Sequence, residues 1–121
     1  CGDMSFEEGK MNARKLIRDH DDVDGIFINT DLVAIGALTE LNRMGVKVPE
    51  DIKIVGFSNW FMSSVISPTL TTIDQPGYKM GKTAFKQLYK EIKAIKNKKP
   101  IVPKIITLET SLIKRESTKL I

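Results

Sequence analysis

Apolar residues recur along this chain with two alternating periods. In SFEEGKMNARKLI, Phe6, Met11, Ala13, Leu16 and Ile17 fall at helix-like intervals, and Ser5 stands three residues before Glu8, the spacing of a reciprocal helix cap. A helix is expected to about Arg18. GIFIN, from Gly25 to Asn29, is a β-branched and aromatic run that predicts a strand, and it enters Thr30 and Asp31, both good N-cap types. Leu32, Ile35, Leu38 and Leu41 then recur every third residue, with Val33, Ala34 and Ala37 beside them, and Gly45 stands where a helix end takes a left-handed residue. After a turn at Pro49-Glu50-Asp51, the run from Ile52 to Phe57 is apolar on both faces, as strands of a covered parallel sheet are. WFMSSVIS predicts one short helix ended by Ser67-Pro68, and Leu70 to Gln75 a brief extended segment. From Pro76 to about Asn97 the spacing predicts a helix with Met80, Ala84, Phe85, Leu88, Ile92 and Ile95 on one face. NKKPIVPK reads as a polar loop, and IITLETSLIKRE as one or two closing strands.

Strands alternating with helices of these lengths indicate an α/β fold, a three-layer parallel sheet with flanking helices and right-handed crossovers. Ligands of such sheets sit outside the carboxyl ends of the strands. Thr30-Asp31 and Ser58-Asn59 each end a predicted strand, so both pairs fall on one rim. Helix capping and turn formation account for the same residue types equally well.

Composition narrows the function classes. The chain has 121 residues, the size of one ordinary domain, with 41% apolar residues, enough for a core. No apolar run approaches the roughly 20 residues a membrane helix needs. The formal charge of +4 is concentrated locally, because Lys79, Lys82, Lys86, Lys90, Lys93, Lys96, Lys98, Lys99 and Lys104 crowd one segment. A nucleic-acid patch accounts for this, and so, more simply, does a solvated helix face. One Cys and one His rule out a disulfide framework and argue against a zinc site, and a reducing compartment is expected. The chain opens on Cys1, which suggests a fragment or processed product. No nucleophile–base set assembles around His20, which lies among Asp19, Asp21 and Asp22, and no phosphate-cradling glycine loop is present, so no catalytic residue, metal or cofactor is expected.

The run DGIFINTDLVAIGALTELNRMGVKVPEDIKIVGFSN, then SPTLTTIDQPGYKMG, then LIKREST, closely resembles the C-terminal part of bacterial transcription regulators of the lactose-repressor and galactose-repressor family. The resemblance implies a periplasmic-binding-protein-like type I fold: two α/β lobes with a small effector between them, usually a sugar or nucleobase, and homodimerisation. Operator DNA is bound in that family by an N-terminal helix-turn-helix, which this sequence lacks. By this resemblance residues 1–75 correspond to an incomplete C-terminal lobe, 76–99 to a crossover helix of the N-terminal lobe, and 100–121 to closing strands and tail. With its partner lobe absent, that helix's apolar face implies a homo-oligomer.

By motif position the resemblance implies effector contacts from Met4, Thr30, Asp31, Ser58, Asn59 and Gln75. Thr30 stands where many members carry Asn, and Ser58 where many carry Asp, so one rotatable hydroxyl replaces a fixed anion. Gly77 occupies a position that often holds a bulky stacking residue, with Tyr78 adjacent. Trp60 is expected partly exposed at the pocket rim. The same carry-over implies a dimer contact through Leu32, Ile35, Gly36, Thr39, Met62, Val65 and Ile66. Gly36 fits because a mid-helix glycine costs roughly 1 kcal/mol against alanine unless another backbone must approach closely. A cytoplasmic location follows from the family. An exported periplasmic sugar-binding protein shares the fold and is the alternative, separable by whether a helix-turn-helix or a signal peptide lies upstream.

Overall fold

The computed structural model describes residues 4–119. They form two compact units: one holds the chain up to Asp74 together with the segment from Ser111 onward, the other is Gln75–Thr110. In the first unit, α1 spans Phe6–Asp19, β1 Gly25–Phe27, α2 Asp31–Arg43, β2 Lys53–Phe57, β3 Thr71–Asp74 and β4 Ser111–Ile113. The second unit holds α3, Gly77–Lys96. WFMSSVIS contributes only a 3-10 turn at Phe61–Ser64, shorter than the helix expected there. Residues 100–110 carry no strand among the described residues, so the closing strands reduce to β4, and this stretch groups with α3.

The sheet runs β1-β2-β3-β4. β1 and β2 pair in parallel, as do β2 and β3, whereas β4 joins antiparallel. Register puts Ile54 and Gly56 on the buried face with Thr72, while Val55, Phe57 and Ile73 share the other face with Phe27 and Leu112. α1 and α2 lie on the first of these faces. Its core is Ala13, Ala34, Ala37, Leu38, Leu41, Val48, Ile52, Ile54 and Leu70, with Phe6, Ile17 and Ile26 packed against it. The opposite face leaves Phe27 and Leu112 exposed.

Local chemistry fixes the helix ends. Ser5 Oγ accepts the Glu8 amide at 3.2 Å, and the Glu8 carboxylate reaches back to the Met4 amide at 2.7 Å, one residue earlier than a reciprocal cap on Ser5 requires. Thr30 Oγ1 caps α2 by accepting the Val33 amide at 3.2 Å. Gly45, at φ +79°, ends it with the expected left-handed residue.

α1 and α2 meet backbone to backbone. A Cβ at Gly9 would overlap the carbonyl oxygen of Val33, and one at Gly36 the carbonyl oxygen of Phe6. The backbone that Gly36 admits is therefore that of α1 in the same chain, which corrects the attribution of this glycine to a dimer contact. Ile35 is likewise part of this core. Across the same helix pair, the buried Glu40 accepts from Arg14 Nε at 2.8 Å and from Arg43 Nη2 at 2.6 Å. The Arg43 and Arg14 hydrogen bonds push its carboxyl down to about 2 from an ordinary 4.5.

Gly36→Ala should cost about 2–4 kcal/mol, measured by urea unfolding, because neither backbone can withdraw without parting the helices. A depressed folded-state pKa contributes stability above the ordinary carboxyl value and loses it as pH falls toward the folded value. Wild-type urea midpoints should accordingly fall between pH 4.5 and about 2, and Glu40→Gln should flatten the decline.

Candidate functional site

The carboxyl ends of β1, β2 and β3 form one rim, organised by a carboxylate beneath it. Asp31, the first residue of α2, is fully buried. Its Oδ2 accepts the Trp60 amide at 2.7 Å and the Ser63 hydroxyl at 2.6 Å, and its Oδ1 accepts the Thr72 hydroxyl at 2.6 Å. Gly56 leaves the room, since a Cβ there would overlap Asp31 Oδ1. One side chain thus ties α2, the turn after β2 and β3 together. Asp31 does not reach the rim's surface, so the expected effector contact is replaced by a positioning role.

Asn59 is held in a similar way. Its Nδ2 donates to Asp74 Oδ1 at 2.8 Å and its Oδ1 accepts Arg115 Nη2 at 2.8 Å, while its amide donates to Thr72 Oγ1 at 3.2 Å. Arg115 continues to the Leu70 carbonyl at 2.8 Å, locking the closing segment onto β3. The expected Asn59 contact is corrected to this same extent: its amide group is engaged within the chain. Not anticipated from the sequence were Arg115 and Thr72 as partners of Asn59, and Ser63 and Thr72 as partners of Asp31. The signal available was two adjacent threonines, Thr71 and Thr72, at the start of a strand that enters the core, since buried hydroxyls require partners.

Ser58 is different. Its amide bonds to the Ile73 carbonyl at 2.9 Å, but its side chain is exposed and its hydroxyl has no partner among the described residues. Its φ is +115°, and Asn59 follows at +49°; Met4, at +47°, is a third non-glycine residue in the left-handed region. Backbone held this way costs of order 1–3 kcal/mol per residue and gathers at binding sites. Met4 lies near the rim, its sulfur accepting from Asn29 Nδ2 at 3.5 Å. Asn29, not anticipated as a site residue, ends the GIFIN strand beside Thr30. Trp60 is 41% exposed and meets Phe61 edge to face at 5.4 Å, in keeping with its expected rim position. Gln75 opens the second unit, its carbonyl accepting the Gly77 amide at 2.7 Å. Of the residues expected at a dimer contact, Leu32, Thr39 and Val65 are exposed, and Met62 and Ile66 pack partly against the core.

A half-covered α/β sheet with polar residues in left-handed backbone at the carboxyl ends of its strands defines an α/β lobe of the kind that two-lobed binding proteins are built from. The chain belongs to the family of periplasmic binding protein-like domains, whose model matches residues 1–118. Its relatives are transcriptional repressors of the lactose-repressor type. It is 36% identical over 117 residues to the ribose operon repressor of Halalkalibacterium halodurans, covering 97% of this chain and 34% of that protein. To the HTH-type transcriptional repressor CytR of Escherichia coli K12 it is 40% identical over 83 residues, 69% of this chain and 24% of that protein. Among solved structures, a LacI family transcriptional regulator from Enterococcus faecium with bound ribose superposes with a TM-score of 0.78 at 31% identity, covering 94% of this chain and 40% of that one. The chain thus spans about a third of the length of the first of these relatives. With repressors as its relatives, the exported sugar-binding alternative is not favoured. Among the described residues no helix is long and apolar enough to cross a membrane, and no group of acidic, His and Cys side chains is arranged to hold a metal.

Asp31→Ala strands the Trp60 amide and two buried hydroxyls, and should cost more than about 3 kcal/mol in urea unfolding. Ser58→Ala, at an exposed hydroxyl, should stay within about 0.5 kcal/mol of the wild type.

Proposed function

We propose that this chain is the effector-sensing and dimerisation part of a cytoplasmic, DNA-binding transcriptional regulator. It supplies one wall of a cleft that binds a small sugar between two lobes, and it is not itself an enzyme. The observation that carries this reading is the rim: Ser58, whose hydroxyl has no partner among the described residues, and Trp60 are presented by the turn that Asp31, Thr72 and Arg115 hold in place, and Asn29 stands exposed at the end of the neighbouring strand. A free hydroxyl, an amide and an aromatic edge on rigid backbone suit sugar hydroxyls and the apolar face of a sugar ring. A sugar is the favoured class, supported by a relative named for the ribose operon and by similar regulators that hold ribose and lactose.

In this reading the chain up to Asp74 and from Ser111 onward belongs to one lobe and Gln75–Thr110 to the other, and a bound sugar biases the relative orientation of the intact regulator's lobes. A ligand shifts such an equilibrium only by its differential affinity for the two states. Two copies pair through the exposed side of α2 at Leu32 and Thr39 and the turn at Met62, Val65 and Ile66. Met4 and Gln75 flank the sugar. Operator DNA is read by a helix-turn-helix outside this sequence.

In an operator-binding assay on the full-length regulator, Ser58→Ala should raise the sugar concentration needed for response about tenfold, the worth of one net hydrogen bond. Operator affinity without sugar should stay within about twofold. Thr30→Asn, which keeps the α2 cap, should alter the sugar response without unfolding the protein. Equal loss of operator binding and sugar response in Ser58→Ala would count against the assignment.

A further inference from the structure

The second unit carries a feature that effector sensing does not use. Between Gln75 and Thr110 there are nine lysines against two carboxylates, Glu91 and Glu109, and no arginine. Lys79, Lys82, Lys86, Lys90 and Lys93 all lie on α3. At 3.6 residues per turn they fall within an arc of about 80°, and at 1.5 Å per residue they extend over about 21 Å. All five are exposed, and among the described residues none pairs with a carboxylate. The only acidic residue of α3, Glu91, lies off this stripe and accepts from Gln87 at 2.9 Å.

The stripe is also kept apart from the helix's other surfaces. Residues 104–108 run beside Met80, Thr83, Ala84 and Gln87, lining a groove on a neighbouring side of α3. Two tyrosines border the lysines: Lys82 Nζ stands 5.8 Å from the Tyr78 ring and Lys93 Nζ 4.6 Å from the Tyr89 ring. These contacts orient ammonium groups without neutralising them.

We propose that this stripe holds the phosphate backbone of duplex DNA without regard to sequence. A row of single-sign point charges, one for almost every turn, with no arginine fork and no amide or carboxylate among them, suits phosphate attraction and provides nothing to read a base edge. An acidic protein partner would be better met by mixed polar and charged groups, and a membrane surface by the apolar side of α3. The inference rests on the regulator reading only in that the polyanion at hand is DNA; its failure would leave the sugar-binding assignment standing.

The experiment is a fluorescence-anisotropy titration of the 121-residue chain with a labelled 20-base-pair duplex of arbitrary sequence between 50 and 200 mM salt. Neutralising five phosphates gives a slope of about −4.5 in log affinity against log salt, a loss of about 500-fold over that range. Lys82→Gln, Lys86→Gln and Lys90→Gln combined should bring the slope to about −1.8 and weaken binding at 50 mM salt by at least tenfold. The control, Lys15→Gln, Lys47→Gln and Lys119→Gln combined, removes the same net charge from the first unit and should change binding less than twofold. Circular dichroism checks that both triple variants keep their helices. Equal weakening by the two triple variants would overturn the proposal, because net charge alone would then suffice. So would absence of duplex binding at 50 mM salt, or tighter binding to vesicles containing anionic lipid than to the duplex.

Discussion

A single buried carboxylate organises the part of this molecule that faces a ligand. Asp31 accepts from the amide of Trp60 and the hydroxyls of Ser63 and Thr72, all within 2.7 Å. An ionised group away from water is tolerable only when its lone pairs are satisfied, and here three donors from two different segments meet that demand. The demand works in both directions: the anion needs those donors, so the chain after β2 must turn sharply enough to bring them in. The left-handed backbone at Ser58 and Asn59 is the form that turn takes. Ser58 is consequently presented outward on backbone it would not choose alone, with its hydroxyl unpartnered among the described residues.

A second constraint sets how the helices lie against the sheet. Two glycines, Gly9 and Gly36, let α1 and α2 touch through their carbonyls, and Glu40 bridges the same pair with Arg14 and Arg43. This contact holds α2, and the start of α2 carries Asp31. Packing between two helices thereby reaches the rim through one residue, and a change far from any ligand can alter the geometry of the site.

Much of this was legible in the sequence. The alternation of periods marked α1, β1, α2, β2, β3 and α3, and Gly45 marked the end of α2. What local pattern could not show was tertiary. Gly36 signalled a close approach correctly, but a glycine does not say whose backbone approaches, and it is α1 of the same chain. Thr30 and Asp31 stood side by side as candidates, yet one caps a helix near the surface and the other is buried, a distinction made by Gly56, 25 residues further on. Arg115, in the last few residues, reaches Asn59 and Leu70 across a sequence separation that no periodicity records. The closing region read as one or two strands because its apolar residues alternate, but only Ser111–Ile113 finds a partner, β3, to pair with.

The rim is a rigid wall, held from below before any ligand arrives. Native-state hydrogen exchange at the Trp60 amide tests this most directly, because that N–H donates to Asp31 and lies in a short turn with little regular structure around it. Protection comparable to that of the β2 amides is expected, so that Trp60 opens only with the unit as a whole. Exchange as fast as in an exposed loop would mean the carboxylate does not hold the turn, and the rim would not be the preformed wall described.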